Sequence, residues 1–202
     1  MNGTVTTERH GEAGYSVPEL IAALLIATLL LGLGYSTLQR SSWRSSAAVA
    51  ELAGRLELAR SRAVFERNDY VVVFDPSDET MKIVDDEDGD GSYTPGRGER
   101  IDRYPLSNGG RAMVFGFAPG TIGLDGQPIT RAISFPGTPP RLVFDPAGKA
   151  DSGVMYLIPE EDIGRGDPTH MRAITVSGAT ARIRRWRYDP TAPGPGPWRL
   201  EP

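Results

Sequence analysis

The chain has 202 residues, a formal net charge of −4, no cysteine and two histidines. This length accommodates one folded domain with an appendage, and the 24 glycines and 17 prolines favour a body rich in strands and turns. The lack of cysteine excludes disulfides, thiolate metal sites and cysteine nucleophiles. Two histidines argue against a histidine-rich zinc site, and the negative charge is not typical of a protein that binds nucleic acid over its whole surface.

An uncharged, mostly apolar run covers residues 20–39. A helix of about 20 residues crosses a hydrocarbon core of about 30 Å. Glu19 stands at the start of this run, although a carboxylate entering a membrane costs about 2.5–3.5 kcal/mol. A secretory signal cleaved near the small residues AAVA (47–50) and a plain membrane anchor are two interpretations. Neither gives Glu19 a purpose.

The segment GYSVPEL, residues 14–20, supports a third interpretation. It resembles the processing site of type IV pilins and pseudopilins, in which Gly precedes an aromatic residue and Glu is the fifth mature residue. The resemblance implies cleavage after Gly14 by prepilin peptidase and N-methylation of Tyr15. It also implies that Glu19 neutralises the terminal amine of a neighbouring subunit during assembly. Tyr15 and Glu19 are four residues apart and would share a helix face, and pairing makes a charge tolerable in apolar surroundings.

Residues 41–67 are predicted to continue as an amphipathic helix. Apolar residues recur there at spacings of three and four, which places them on one stripe. The stripe consists of Val49, Leu52, Leu56, Ala59 and Ala63. We expect it to pack against a sheet.

From residue 68 the pattern changes to short apolar segments separated by glycine and proline turns. The predicted strands are 70–74, 81–84, 111–117, 131–135, 141–144, 153–158, 171–177 and 180–188. The first two should form a hairpin, and the lack of helical patterns between strands predicts antiparallel sheets. Residues 191–198, TAPGPGPW, are predicted to be a loop or a disordered end. The fold class is therefore α+β.

The body also carries a resemblance in the order of its segments. SRAVFERN, VVVFD, DEDGDGSYTPGRGE, LVFDPAGKADSGVMYLI and RAITVSGATARIRRWR follow one another as in the H-type minor pseudopilins of type II secretion and the FimT-like minor pilins. The resemblance implies a pilin-like fold, in which a long N-terminal helix with a transmembrane first half packs on antiparallel sheet. It implies four parts, which are a leader (1–14), a transmembrane and assembly helix (15–40), the amphipathic helix half (41–67) and a periplasmic domain (68–202).

The resemblance implies a structural role rather than an enzymatic one. The chain would be a single-pass inner-membrane precursor that is cut by prepilin peptidase and assembled with other pseudopilins into a pseudopilus that supports protein export. The alternative is a FimT-like minor pilin of a type IV pilus, which binds DNA during uptake through its basic C-terminal strand. The sequence does not distinguish the two systems.

The acidic loop, residues 85–99, contains Asp86, Asp88, Asp90 and Gly91 in the spacing that opens a calcium loop. The twelfth position of such a loop should be a bidentate Glu, but here it is Arg97. The segment is therefore not a standard calcium loop, and the favoured interpretation is a polar, glycine-rich hairpin loop kept soluble by its charges. The alternative is a looser oxygen cage of Asp86, Asp88, Asp90 and Glu99 that binds calcium, and no other cofactor is expected.

The basic segment ARIRRWRYD places arginines at 182, 184, 185 and 187 around Trp186. On a strand, Arg182 and Arg184 share the face of Trp186, while Arg185 and Arg187 share the other. Arginines beside an aromatic ring suit DNA. The alternatives are an edge strand protected by its charge or a strand paired with acidic residues. His170 precedes a strand and is predicted to be a surface polar residue.

Overall fold

The computed structural model describes residues 17–106, 113–191 and 196–201, without the side chains of residues 29–44. Within these ranges the protein is α+β and its sheets are antiparallel. The elements in chain order are α1 (Val17–Glu66), β1 (Asp69–Asp75), β2 (Thr80–Asp86), β3 (Ile101–Pro105), β4 (Met113–Phe115), β5 (Arg141–Phe144), β6 (Gly153–Pro159), α2 (Glu160–Arg165), β7 (Arg172–Ser177), β8 (Arg182–Tyr188) and β9 (Trp198–Glu201).

The chain divides into two compact units, residues 1–40 and residues 41–202. In the first unit, every side chain from residue 17 to residue 28 is exposed. Among the side chains that the structure describes, none of the helices offers a stretch long and apolar enough to cross a membrane. Gly14 and Tyr15 lie outside the described residues, as do the side chains of the later part of the predicted span. The leader, the processing site and the membrane span therefore stay predictions.

In the second unit, the predicted apolar stripe of α1 is confirmed. Val49, Leu56 and Ala63 are completely buried, and Leu52 and Ala59 are nearly so. These side chains belong to one core with inward residues of both sheets. Since the core contains residues from α1 and from each sheet, the helix stripe is the surface on which both sheets pack.

The strands form a four-stranded sheet in the order β3-β2-β1-β5 and a five-stranded sheet in the order β4-β6-β7-β8-β9. The predicted hairpin of β1 and β2 is confirmed, with Val72 opposite Ile83 in its register. The strands predicted at 141–144, 153–158 and 171–177 are also present as β5, β6 and β7. The predicted strand 111–117 is reduced to β4, and residues 107–112 lie outside the described ranges.

The strand predicted at 131–135 is wrong. This segment makes only an isolated bridge, between Ile133 and Met155 of β6. It lies along the half of β6 that β4 leaves uncovered, since β4 pairs with Leu157, Ile158 and Pro159. Because β4 and residues 131–135 share the same edge of β6, the pairing of residues 131–135 with β6 is limited to this bridge and does not form a strand.

Two predictions about the C-terminal part are also corrected. Trp198, placed in the predicted loop or disordered end, begins β9 and is only 6% exposed. β9 pairs with residues 185–188 of β8, so this half of the strand lies between β7 and β9 and is not at an edge. Within the described residues, Arg182 and Arg184 pair with β7 alone, so the edge-strand interpretation is wrong for Arg185 and Arg187 only.

The five-stranded sheet has a second, smaller core on its other face. Tyr156, Ile158, Met171 and Ala173 lie in it together with Trp198. Alternate residues of β7 point to different cores, since Ile174 belongs to the core with α1. Both faces of this sheet are therefore covered in the described structure.

Replacing Leu56 by Ala should destabilise the body by about 2–5 kcal/mol, because it leaves a cavity under both sheets. Leu58→Ala is the matched control, since this leucine lies two residues away on the same helix and is 41% exposed. We expect the control to change the free energy of unfolding by about 0.5 kcal/mol or less. Chemical denaturation of the whole chain in detergent measures both. Equal losses in the two variants would contradict the packing described for α1.

Candidate functional site

The acidic loop brings carboxylates from its two ends together. β2 ends at Asp86 and β3 begins at Ile101, so the pairing of these strands returns Glu99 to the neighbourhood of Asp86. One carboxylate oxygen from each of Asp86, Asp88 and Glu99 lies within 4.8 Å of the others. Asp86 and Glu99 are 2% and 9% exposed, whereas Asp88 lies at the surface. We call these three residues the carboxylate cage.

Backbone groups of the loop hold the cage in shape. The two oxygens of Asp86 accept hydrogen bonds from the N–H groups of Asp90, at 3.1 Å, and Gly91, at 2.8 Å. Gly91 has a φ of 77°, which glycine adopts without strain. Glu99 Oε2 accepts a hydrogen bond from the N–H of Thr94 at 2.6 Å. The carboxylates of Asp86 and Glu99 are thus oriented by backbone N–H groups of the loop between them.

The other oxygen of Glu99 is exceptional. Among the described residues, Glu99 Oε1 is the one buried side-chain oxygen or nitrogen without a hydrogen-bond partner. Buried polar atoms in folded proteins nearly always have a partner. An unpartnered oxygen on a carboxylate that lies beside two others is a feature that a bound cation would satisfy.

Asp90, the fourth residue predicted for the cage, is not part of it. Its carboxylate accepts hydrogen bonds from the N–H of Ser92, at 2.7 Å, and from Thr94 Oγ1, at 3.3 Å. Asp90 therefore shapes the turn of the loop. Arg97 lies close to the cage, with Nη1 2.6 Å from Asp88 Oδ2.

A polar cluster at the base of the loop joins α1 to the four-stranded sheet. Arg100 Nη2 lies 2.8 Å from both Glu66 Oε2 and Asp85 Oδ2. Tyr70 donates a hydrogen bond to Glu66 at 2.8 Å. Burial, followed by this hydrogen bond, raises the pKa of Tyr70 above its usual value. Asp85 is occupied by Arg100 and Asn68, so it does not belong to the cage.

The four predicted DNA-binding arginines divide between two faces of β8. Trp186 packs toward the second core and Ile183 toward the core with α1. By alternation, Arg182 and Arg184 accompany Trp186, and Arg185 and Arg187 accompany Ile183. Arg185 is opposite Glu201 in the register of β8 and β9. The structure therefore does not gather the four arginines on one surface, and DNA binding stays a prediction.

Sequence reasoning missed a buried ion pair close to β8. Arg172 Nε lies 3.2 Å from Glu201 Oε1, with side-chain exposures of 3% and 12%. Ser46 of α1 donates a hydrogen bond to Glu201 and accepts from Arg172. Burial lowers the pKa of Arg172, while the charge of Glu201 opposes that shift. This cluster ties α1, β7 and β9 together.

His170 was predicted to be a surface residue, but its side chain is 15% exposed and contacts a buried carboxylate. Its Nδ1 lies 2.9 Å from Asp162 Oδ2. The carboxylate of Asp167 lies close to these two side chains. It accepts hydrogen bonds from the backbone N–H and the hydroxyl of Thr169. These contacts close the turn between α2 and β7.

No family model and no curated protein matches the chain. A search of solved structures finds the minor pseudopilin EpsH from the Type 2 Secretion System of Vibrio cholerae, with 12% sequence identity and a TM-score of 0.47 over 71% of this chain and 96% of that chain.

Glu201→Ala should destabilise the body by about 3–5 kcal/mol, because it removes the carboxylate that pairs with the buried guanidinium of Arg172. Glu57→Ala is the control, since Glu57 pairs with Arg60 at the surface and such pairs contribute about 0–1 kcal/mol. The double variant Arg172→Met, Glu201→Leu should recover most of the loss, because no buried charge remains. Thermal and chemical unfolding of the whole chain test this. A double variant no more stable than Glu201→Ala would contradict the ion-pair explanation.

Proposed function

We propose that this chain is a minor pseudopilin of a type II secretion pseudopilus, processed after Gly14 and assembled with other pseudopilins through its N-terminal helix. In this proposal the precursor is held in the inner membrane with its body in the periplasm. Prepilin peptidase removes residues 1–14 and Tyr15 becomes the methylated terminus. The chain itself has a structural role and catalyses no reaction.

The observation that carries the proposal is the contrast between the two parts of α1. Glu19 lies in the first turn, and the side chains that follow it are exposed although most are apolar. The large ones are between 55% and 68% exposed, namely Leu20, Ile21, Leu24, Leu25 and Ile26. From Val49 onward the same helix buries one stripe in its own core. A contiguous apolar surface of this kind is typical of a segment that inserts into a membrane or packs on other subunits.

Glu19 is the residue through which this apolar segment would recognise a neighbouring subunit. A carboxylate in the first turn is favoured by the helix dipole, but it is costly in an apolar environment without a partner. After cleavage at Gly14 the nearest cation along the chain would be the terminal amine of Tyr15, which a neighbouring subunit would also present. Pairing of Glu19 with such an amine satisfies both charges at once. This pairing accounts for an acidic residue at the start of an apolar helix.

Processing is tested by intact-mass and N-terminal analysis of the protein recovered from cells with prepilin peptidase. We expect a chain that begins at N-methylated Tyr15. Gly14→Ala should leave the leader attached, whereas Gly11→Ala, a glycine in the same leader, should be cleaved normally. A mature chain that begins near Glu51, or an uncut wild-type chain, would contradict the proposal.

Assembly is tested by replacing the first-turn carboxylate. Glu19→Gln should be processed but should be at least about tenfold depleted from sheared pseudopili, because the pairing charge is lost. Glu51→Gln is the control, since it removes an exposed carboxylate from the same helix. Equal incorporation of Glu19→Gln and wild type would refute the role of Glu19. The DNA-uptake alternative predicts that the whole chain binds DNA with an affinity that depends on salt. This affinity should fall when Arg184 and Arg185 are both replaced by Ala.

A further inference from the structure

We propose that the acidic loop binds one calcium ion in the carboxylate cage of Asp86, Asp88 and Glu99. The proposal rests on the geometry of the loop and does not depend on the pseudopilin function. The cage combines Asp86, the last residue of β2, and Asp88 in the loop with Glu99, two residues before β3. An ion there would join the two strands at the point where the chain leaves the four-stranded sheet.

The spacing of the carboxylate oxygens fits a calcium ion. Calcium–oxygen distances are about 2.3–2.6 Å, so two ligands on opposite sides of the ion are about 4.6–5.2 Å apart. The three cage oxygens lie within 4.8 Å of one another. One ion can therefore contact an oxygen from each residue, and water and loop carbonyls can complete the six to eight ligands that calcium takes.

Glu99 provides an observation that does not depend on the number of acidic residues. Its Oε1 is buried and unpartnered, while Oε2 is fixed by the N–H of Thr94. Burying a charged oxygen without a partner is unfavourable. A bound cation supplies that partner, which explains why the loop places a glutamate there.

The cage differs in two respects from the calcium loop that the spacing predicts, since Asp90 at the fifth position is not part of it and the twelfth position is not acidic. Asp86 and Asp88 occupy the first and third positions, and Gly91 makes the turn at the sixth. The twelfth position is Arg97, whose guanidinium pairs with Asp88, and Glu99 supplies the carboxylate two residues later. Arg97 is therefore a competing cation at the edge of the site.

The donor set favours calcium over other metals. All three side chains offer oxygen, whereas zinc prefers nitrogen and sulfur. Magnesium requires near-ideal octahedral geometry at about 2.0–2.1 Å and keeps several waters. A loop whose ligands come from three different positions in the chain suits the variable coordination of calcium.

The first experiment is calorimetric titration of CaCl₂ into the whole chain in detergent after treatment with EGTA. We expect one site with a Kd of about 10⁻⁴–10⁻³ M, as in calcium modules outside the cytoplasm, and a higher unfolding temperature with calcium. Magnesium at the same concentration should have a smaller effect. The absence of heat and of any thermal shift at 10 mM, about ten times the weakest expected Kd, would overturn the proposal.

Three single variants locate the site. Glu99→Gln should weaken calcium binding at least about tenfold. Glu87→Gln removes the same charge from an exposed residue of the same loop and should leave Kd within about twofold. Arg97→Gln should strengthen binding about two- to fivefold, since it removes an exposed ion pair that competes for Asp88. Equal weakening by Glu99→Gln and Glu87→Gln would show diffuse attraction to acidic residues and would overturn the cage.

A measurement on the wild-type chain keeps the proposal testable if Glu99→Gln does not fold. Trypsin cleaves after Arg97, whose side chain is 64% exposed. Calcium should slow the appearance of the fragment ending at Arg97 by about fivefold or more, because the ion joins the two arms of the loop. The rate of cleavage after Arg131, an exposed residue outside the loop and outside any helix or strand, is the internal control. Unchanged cleavage after Arg97 at saturating calcium would count against the site.

Discussion

Burial of the stripe on α1 is the constraint on which the body depends. Val49, Leu56 and Ala63 are completely inaccessible, and their core contains residues from both sheets. Neither sheet could bury its inner face without this helix, because an open sheet with one apolar face needs a covering layer. The register of the strands follows from it, since a shift by one residue would turn the apolar residues of a strand away from α1.

Polar clusters fix α1 at two places on this core. Arg172 and Glu201 hold it through Ser46 near one end of the second unit. Arg100 holds it through Glu66 at the helix end. The same arginine binds Asp85 at the end of β2, next to Asp86 of the carboxylate cage. The proposed calcium site is therefore next to the ion pairs that anchor the helix, and an ion there would add to the contacts between β2, β3 and the end of α1.

Prediction from sequence succeeded where one face of an element is buried. The α1 stripe has a strong apolar pattern, and so does β1 with its consecutive residues Val71, Val72 and Val73. β3 and β9 were missed for opposite reasons. β3, IDRYP, has no fully buried residue, so its sequence lacks alternation. β9 follows a segment rich in glycine and proline, but Trp198 finds a place in the second core, and this tertiary contact overrides the local signal.

The sequence by itself determined the elements whose signal is local, which are the stripe of α1, the first hairpin and the acidic composition of the loop. The tertiary structure decided which charged residues meet. The antiparallel pairing of β2 and β3 brings Glu99 rather than Asp90 to Asp86 and Asp88, and the addition of β9 brings Glu201 to Arg172. Contacts between residues far apart in the chain depend on strand order and register, and the spacing of charged residues along a sequence does not encode these.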